Sequence, residues 1–211
     1  MSEPALKYHT EEAYLVFERA ALDKHEFYKG EVFEWGTGLR KQVTNLLLSN
    51  ENRDKKDTSF NYNKLRTNFI VPIGSFLKGK LCNVFGSDLR IHIPSNTLYT
   101  YPDAIIICGK PQLLDEEFDT ILNPSVIAEI LSPSTQSYDR GNKFMLYRSI
   151  PSLQEYILID SENIGIEHYK RNKDNTWLLQ EWKDKSDTLT IATIGFDLPL
   201  EELYSGVNLP V

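Results

Sequence analysis

Two carboxylates stand where apolar runs leave little reason for charge: Asp103 near the start of YPDAIIIC and Glu129 late in SVIAEIL. An ionised carboxylate left in a dry interior costs several kcal/mol, so such a group is exposed, paired, protonated or bound to a metal. If the two runs are neighbouring antiparallel strands, the acid at the start of one meets the acid at the end of the other. Two such groups repel unless a divalent cation neutralises them, and hard cations such as Mg²⁺ take carboxylate, carbonyl and water oxygens. The bland alternatives are a strand-entry residue bonded to nearby amides for Asp103, and a strand end reaching solvent or Arg140 for Glu129. Lys143 follows on a helix candidate, from which its flexible stem could return an ammonium to the acids. It also stands four residues after Asp139, an acid-then-base pair common on helix surfaces.

Other chemistries lack anchors. GSFLKGKL nearly spells a phosphate-binding loop, but it ends in Leu81, without a hydroxyl for Mg²⁺, and it closes a helix where the motif must open one. There is no GxGxxG, HExxH or GxSxG, and the four histidines are scattered. Cys82 and Cys108 have no CxxC spacing and are expected to be reduced core residues. A net charge of -7 argues against a whole-surface grip on nucleic acid, though not against a local basic patch. IEHYKRNKDNTW, with Lys170, Arg171 and Lys173, is either such a patch or a solvated hairpin tip. No apolar run reaches the ~18 residues of a membrane span, and the first residues lack the apolar region of a leader. The expectation is a cytoplasmic chain.

The elements that must position these groups are legible from their periods. TEEAYLVFERAAL opens with an N-cap candidate and two acids, which reads as a helix. EFYKGEVFEW alternates about Lys29-Gly30, the pattern of a hairpin. Residues 37–60 read as an insertion or mobile loop ending in a charge run. In NYNKLRTNFIVPIGSFLKGK, apolar residues fall at steps of four (Leu65, Phe69, Ile73, Leu77), a helix that Pro72 should kink. CNVFGS and DLRIHI are short strands; YPDAIIIC and SVIAEIL are continuous runs, expected of strands covered on both faces. DRGNKFMLYRS is a helix candidate, EYILID, IGIEHYK, TWLLQEW and TLTIATI are strands, and PLEELYSGV closes as a short helix. Tyr138, Tyr147 and Tyr156 read as packing residues. A chain of 211 residues with 41% hydrophobic content fits one domain that buries about 70% of its extended surface.

The blocks YPDAIIICG, NPSVIAEILSPST, YDRGNKFMLYRSIPSLQEYILID and LPLEELYSGV, in this order, resemble the Uma family of restriction-endonuclease-like proteins, within the PD-(D/E)XK nuclease superfamily. The likeness spans residues 10–205 and is densest between Tyr99 and Asp160. It implies one α/β (α+β) domain over residues 1–211, a central mixed β-sheet flanked by helices, with a C-terminal β-hairpin extension. It further implies an endonuclease that hydrolyses DNA with Mg²⁺ or Mn²⁺, whose Pro-Asp and Glu-x-Lys hold the metal and activate water. Carried over, Asp103 and Glu129 are ligands and catalytic, Ile130 offers its carbonyl, Lys143 takes the lysine role and Asp139 supports it from behind. Glu31, in KGEVF, matches a further family carboxylate.

Two departures accompany the likeness: Leu131 occupies the usual lysine position, and Tyr62 stands near where the family has a histidine. A lysine near a cation in a solvent-poor site is expected to have a lowered pKa, which suits a base. Cutting both strands of a duplex takes two sites, which suggests a homodimer. The rivals are a nuclease-fold module that binds nucleic acid or protein without turnover, and a hydrolase of small phosphate esters.

Overall fold

The computed structural model describes residues 9–39 and 59–209. Most of the insertion expected over 37–60 therefore lies outside the described residues.

Helix α1 (Glu11–Ala20) begins at Thr10, whose hydroxyl accepts the Ala13 N–H at 3.2 Å. Strands β1 (His25–Tyr28) and β2 (Glu31–Glu34) form the expected hairpin. Its turn residues Lys29 and Gly30 have φ of 50° and 85°, the left-handed pair that matches strand twist. Helix α2 (Phe60–Leu77) runs through Pro72 and buries Tyr62, Leu65, Phe69, Ile73 and Leu77 on one side. Six strands follow: β3 (Cys82–Gly86), β4 (Arg90–Ile93), β5 (Leu98–Thr100), β6 (Ala104–Cys108), β7 (Thr120–Ile121) and β8 (Val126–Leu131). The DRGNK segment is helical as expected, but in three parts: α3 (Gln136–Tyr138), a π-helical turn (Asp139–Lys143) and α4 (Phe144–Tyr147). The chain closes with β9 (Glu155–Asp160), β10 (Ile166–Arg171), β11 (Trp177–Trp182), the hairpin β12 (Thr188–Ile191) and β13 (Phe196–Pro199), and α5 (Leu200–Leu203).

Among the described residues the central sheet has six strands in the order β11-β10-β9-β8-β6-β3, with β8 and β9 parallel and the other pairs antiparallel. A second sheet runs β2-β1-β5-β4-β7. The architecture is the mixed, restriction-endonuclease-like α+β fold with a C-terminal hairpin.

Alternate side chains of β6 and β8 feed two cores, which is why their sequences are apolar throughout. Ala104, Ile106, Val126, Ala128 and Ile130 pack with α2, α5 and the β12–β13 hairpin. Ile105, Ile107, Ile127 and Leu131 pack with Phe144, Tyr147 and Tyr156, and with Ile91 and Ile93 of the second sheet. Across the sheet Glu155, fully buried at the start of β9, holds the C-terminal hairpin. Its carboxylate accepts the N–H groups of Ala192 at 3.2 Å and Thr193 at 2.5 Å, and His168 Nε2 lies 2.6 Å away.

One expectation is corrected. Cys82 and Cys108 are directly opposed in the β3–β6 register and joined as a disulfide. Motif spacing was blind to it because the partners are 26 residues apart and meet only through strand pairing. The IEHYKRNKDNTW segment is the β10–β11 hairpin, and its tip is closed by the Asn172 N–H to Thr176 carbonyl bond at 2.8 Å. Among the described residues no helix is long and apolar enough to cross a membrane.

Candidate active site

The β6–β8 register pairs Ala104 with Ala128, so one step further along the ladder Asp103 faces Glu129. Both carboxylates are buried, at 2% and 3% exposure. Backbone groups tie them to the sheet: the Ile130 N–H donates to Asp103 Oδ2 at 2.8 Å, and the Asp103 N–H reaches Glu129 Oε2 at 3.3 Å. The π turn brings Lys143 in from the side, with Nζ 2.8 Å from Glu129 Oε1 and 3.5 Å from Asp139 Oδ1. Such a widened turn is rare and recurs at functional sites. Leu131 lies on the same strand face as Glu129 but is consumed by the core beneath this helical segment. The cation therefore comes from the segment above and not from the strand.

Tyrosine hydroxyls complete the ring of donors. Tyr147 donates to Glu129 Oε1 at 2.8 Å, and Tyr62, from the other face of the sheet, donates to Asp103 Oδ1. Tyr156 donates to the Asp139 carbonyl at 3.0 Å, steadying the π turn. Thus two of the three tyrosines expected only to pack also bond to the site through their polar ends. Asp103, Glu129, Ile130, Asp139 and Lys143 line one cavity of about 20 Å³, room for roughly one water-sized sphere.

Comparison with known proteins places the chain in a family. A family model described as "Putative restriction endonuclease", Uma2, matches residues 47–201. The chain belongs to the Uma2 family. Two relatives come from Synechocystis sp., both titled as uncharacterized. The protein slr1290 is 32% identical over 196 residues, covering 93% of this chain and 91% of the relative. The protein sll1609 is 34% identical over 168 residues, covering 80% and 84%.

In this Uma2 chain the electrostatics of the two central groups diverge from expectation. Burial pushes the Glu129 carboxyl up, the Lys143 ammonium pulls it back, and Asp103 and Asp139 push it up again, leaving it raised to about 8. Burial alone would lower Lys143, but the charges of Glu129, Tyr147, Asp139 and Glu26 outweigh it and hold the ammonium well above its ordinary range. With these acids as its neighbours, the anionic surroundings win over its burial. Arg140, the alternative partner for Glu129, is engaged elsewhere, with Glu167 at 2.6 Å and Gln136 at 2.6 Å.

Among the Uma2 site residues read from sequence, Asp103, Glu129, Ile130, Lys143 and Asp139 are brought together, whereas Glu31 is not a lining residue of the cavity. The carboxylate from the first hairpin that does line it is Glu26, buried at 2% on β1 and bonded to the Thr100 hydroxyl. Glu31 pairs with Tyr28 beside the turn, while Glu26 pairs with Phe33 two positions further down the ladder. Distance from Lys29-Gly30 was the signal available: a residue in the strand arm is covered sooner than one at the turn. Trp35, Gly36 and Gly38 close over the same cavity. Gly38 has φ +62°, and a Cβ there would meet Tyr138 at 3.1 Å, so this crossing requires glycine.

The donors that could hold a hard divalent cation are the carboxylates of Asp103 and Glu129 and the Ile130 carbonyl, with Glu26 nearby. Among the described residues no group of three or more His, Cys, Asp or Glu side chains forms a ready-made metal cage. Mg²⁺ commonly uses only one or two carboxylates together with water and substrate phosphate. The donor chemistry fits such an ion.

Proposed function

We propose that this chain is a divalent-metal-dependent endonuclease that hydrolyses DNA phosphodiester bonds, with Asp103, Glu129 and the Ile130 carbonyl as the groups that hold Mg²⁺ or Mn²⁺. The observation that carries the reading is the register-opposed pair of buried acids with the Lys143 ammonium in the same cavity. Membership in a family described as "Putative restriction endonuclease" supports the reaction class and a DNA substrate. When bound, the cation would supply Lewis-acid polarisation of a phosphoryl oxygen and lower the pKa of a water.

The chain's own groups have separable tasks. The Ile130 amide orients Asp103, and Tyr147 orients Glu129. Lys143, 2.8 Å from Glu129 and 3.5 Å from Asp139, offers a hydrogen-bond donor and a positive charge toward the phosphoryl group. Asp139 and Glu129 fix that ammonium from two sides. Glu26 adds a further carboxylate to the wall. Two copies of the chain would bring the two sites that a double-strand cut requires.

The test is cleavage of supercoiled plasmid in Mg²⁺ or Mn²⁺. Asp103→Asn and Glu129→Gln should each lose about 10²–10³-fold or more in rate, the scale for removing one group that stabilises the transition state. Cleavage that survives Glu129→Gln removes the assignment.

One observation favours a second reading, a nuclease-fold binding module without turnover. Each oxygen of the Asp103 and Glu129 carboxylates already receives a hydrogen bond from the protein. Divalent binding lost in Asp103→Asn, without cleavage of any nucleic acid by the unmodified chain, would select it.

A further inference from the structure

The donors around Asp103 and Glu129 differ in how easily they can withdraw. Two are backbone amides, of Ile130 and Asp103, fixed by the strands themselves. Tyr147 is completely buried within the core beneath the helical segment, and Lys143 is pinned between Glu129 and Asp139. Tyr62 is different. It belongs to the first turn of α2, which lies on the opposite face of the sheet, and its hydroxyl crosses to Asp103 Oδ1. A first helical turn lacks the intrahelical bonds that hold a helix interior, and the Tyr62 amide relies on the Ser59 side chain at 3.2 Å.

We propose that the Tyr62 hydroxyl competes with a divalent cation for Asp103 and so sets how tightly this chain takes the ion. The inference rests on the cation reading of the site and names a residue that tunes it. A neutral hydroxyl donating to Asp103 Oδ1 offsets carboxylate charge only in part. An ion reaching Oδ1 must first displace that bond. Apparent affinity is then reduced by the fraction of molecules in which the oxygen is open. A hydrogen bond to a charged acceptor is strong enough to make that factor about tenfold. The opposite role, in which Tyr62 holds Asp103 ready for the ion, would make its removal weaken binding, so the sign decides between them.

The experiment is titration of the full chain with MnCl₂, followed by calorimetry and by the electron paramagnetic resonance signal of free Mn²⁺. The proteins are the unmodified chain, Tyr62→Phe, Asp103→Asn and the double variant. Tyr62→Leu is titrated in parallel, so that misfolding of one variant does not remove the test. The expected result is Mn²⁺ binding about tenfold tighter in Tyr62→Phe, abolished by Asp103→Asn in both backgrounds. Binding seen only once Tyr62 is replaced, and lost in the double variant, supports the proposal equally. Affinity unchanged or weaker without the hydroxyl, with Asp103 still required, overturns the role of Tyr62 and leaves the cation reading intact. No binding in any variant, or binding indifferent to Asp103, overturns both.

Discussion

Two buried glutamates on adjacent parallel strands meet opposite fates. Glu155, at the start of β9, faces two backbone N–H groups and an imidazole; burial raises its carboxyl, but the bonds from His168 and Thr193 outweigh burial and hold it below its ordinary value. Glu129, near the end of β8, has a lysine, a tyrosine and one long amide contact, and it remains raised to about 8 because burial, with Asp103 and Asp139 beside it, outweighs the lysine. The register keeps them apart, with Val126 paired to Glu155 and Glu129 to Leu158. Burial alone does not mark a site. A buried acid whose charge is fully answered fastens structure, whereas one crowded by other acids is a place where a cation or proton can act.

The largest expected effect breaks the fastening acid. Glu155→Ala strips His168 of its carboxylate and leaves the Ala192 and Thr193 amides without an acceptor, and should cost about 3–5 kcal/mol in urea unfolding. Glu129→Gln should stay within about 1 kcal/mol, since the carboxyl it replaces is already prone to be neutral. Equal losses would erase the distinction.

A second difference is one of sign. Glu129 is raised from 4.5 to about 8, so in the absence of divalent ions its contribution is fully present below about pH 4.5 and is lost as pH rises toward about 8. Glu155 is lowered from 4.5, so its contribution is present above that value and is lost as pH falls through the depressed one. Thermal unfolding from pH 2 to 9 should show the alkaline loss, at most about 1.4 kcal/mol per pH unit for one proton. Glu129→Gln should flatten it and leave the acid limb unchanged.

Two smaller changes sharpen the picture around Glu129. Lys143→Met should cost about 1–2 kcal/mol near pH 6, less than breaking an obligate buried pair, because Glu129 escapes by taking up a proton. The cost should grow as the solution becomes more alkaline. Tyr147→Phe removes a single donor to Oε1 and should cost about 1 kcal/mol in the same unfolding assay.

Much of this was legible in the order of residues. Continuous apolar runs marked β6 and β8 as strands covered on both faces, and the position of an acid at the start of one and the end of the other was enough to expect their meeting. Lys143 could be reached because it follows on the next helix with a stem long enough to return to the acids, as the family resemblance also implies. What stayed hidden was decided by pairing at a distance. The disulfide needs the β3–β6 register, and the choice of Glu26 over Glu31 needs the hairpin to be docked against the cavity. The π turn has no periodic signature, because one widened turn looks like ordinary helix in a pattern of apolar residues. The direction in which Lys143 shifts belongs to the same class, since it depends on how many acids, Glu26 among them, are docked around it.

Asp103 Oδ2 accepts a hydrogen bond from the backbone amide of residue 130. Position 130 can therefore drift among aliphatic residues that fill the same space without disturbing the acid it supports. Proline alone would silence that donor, so natural variation or redesign can rework this part of the core while inheriting the chemistry unchanged.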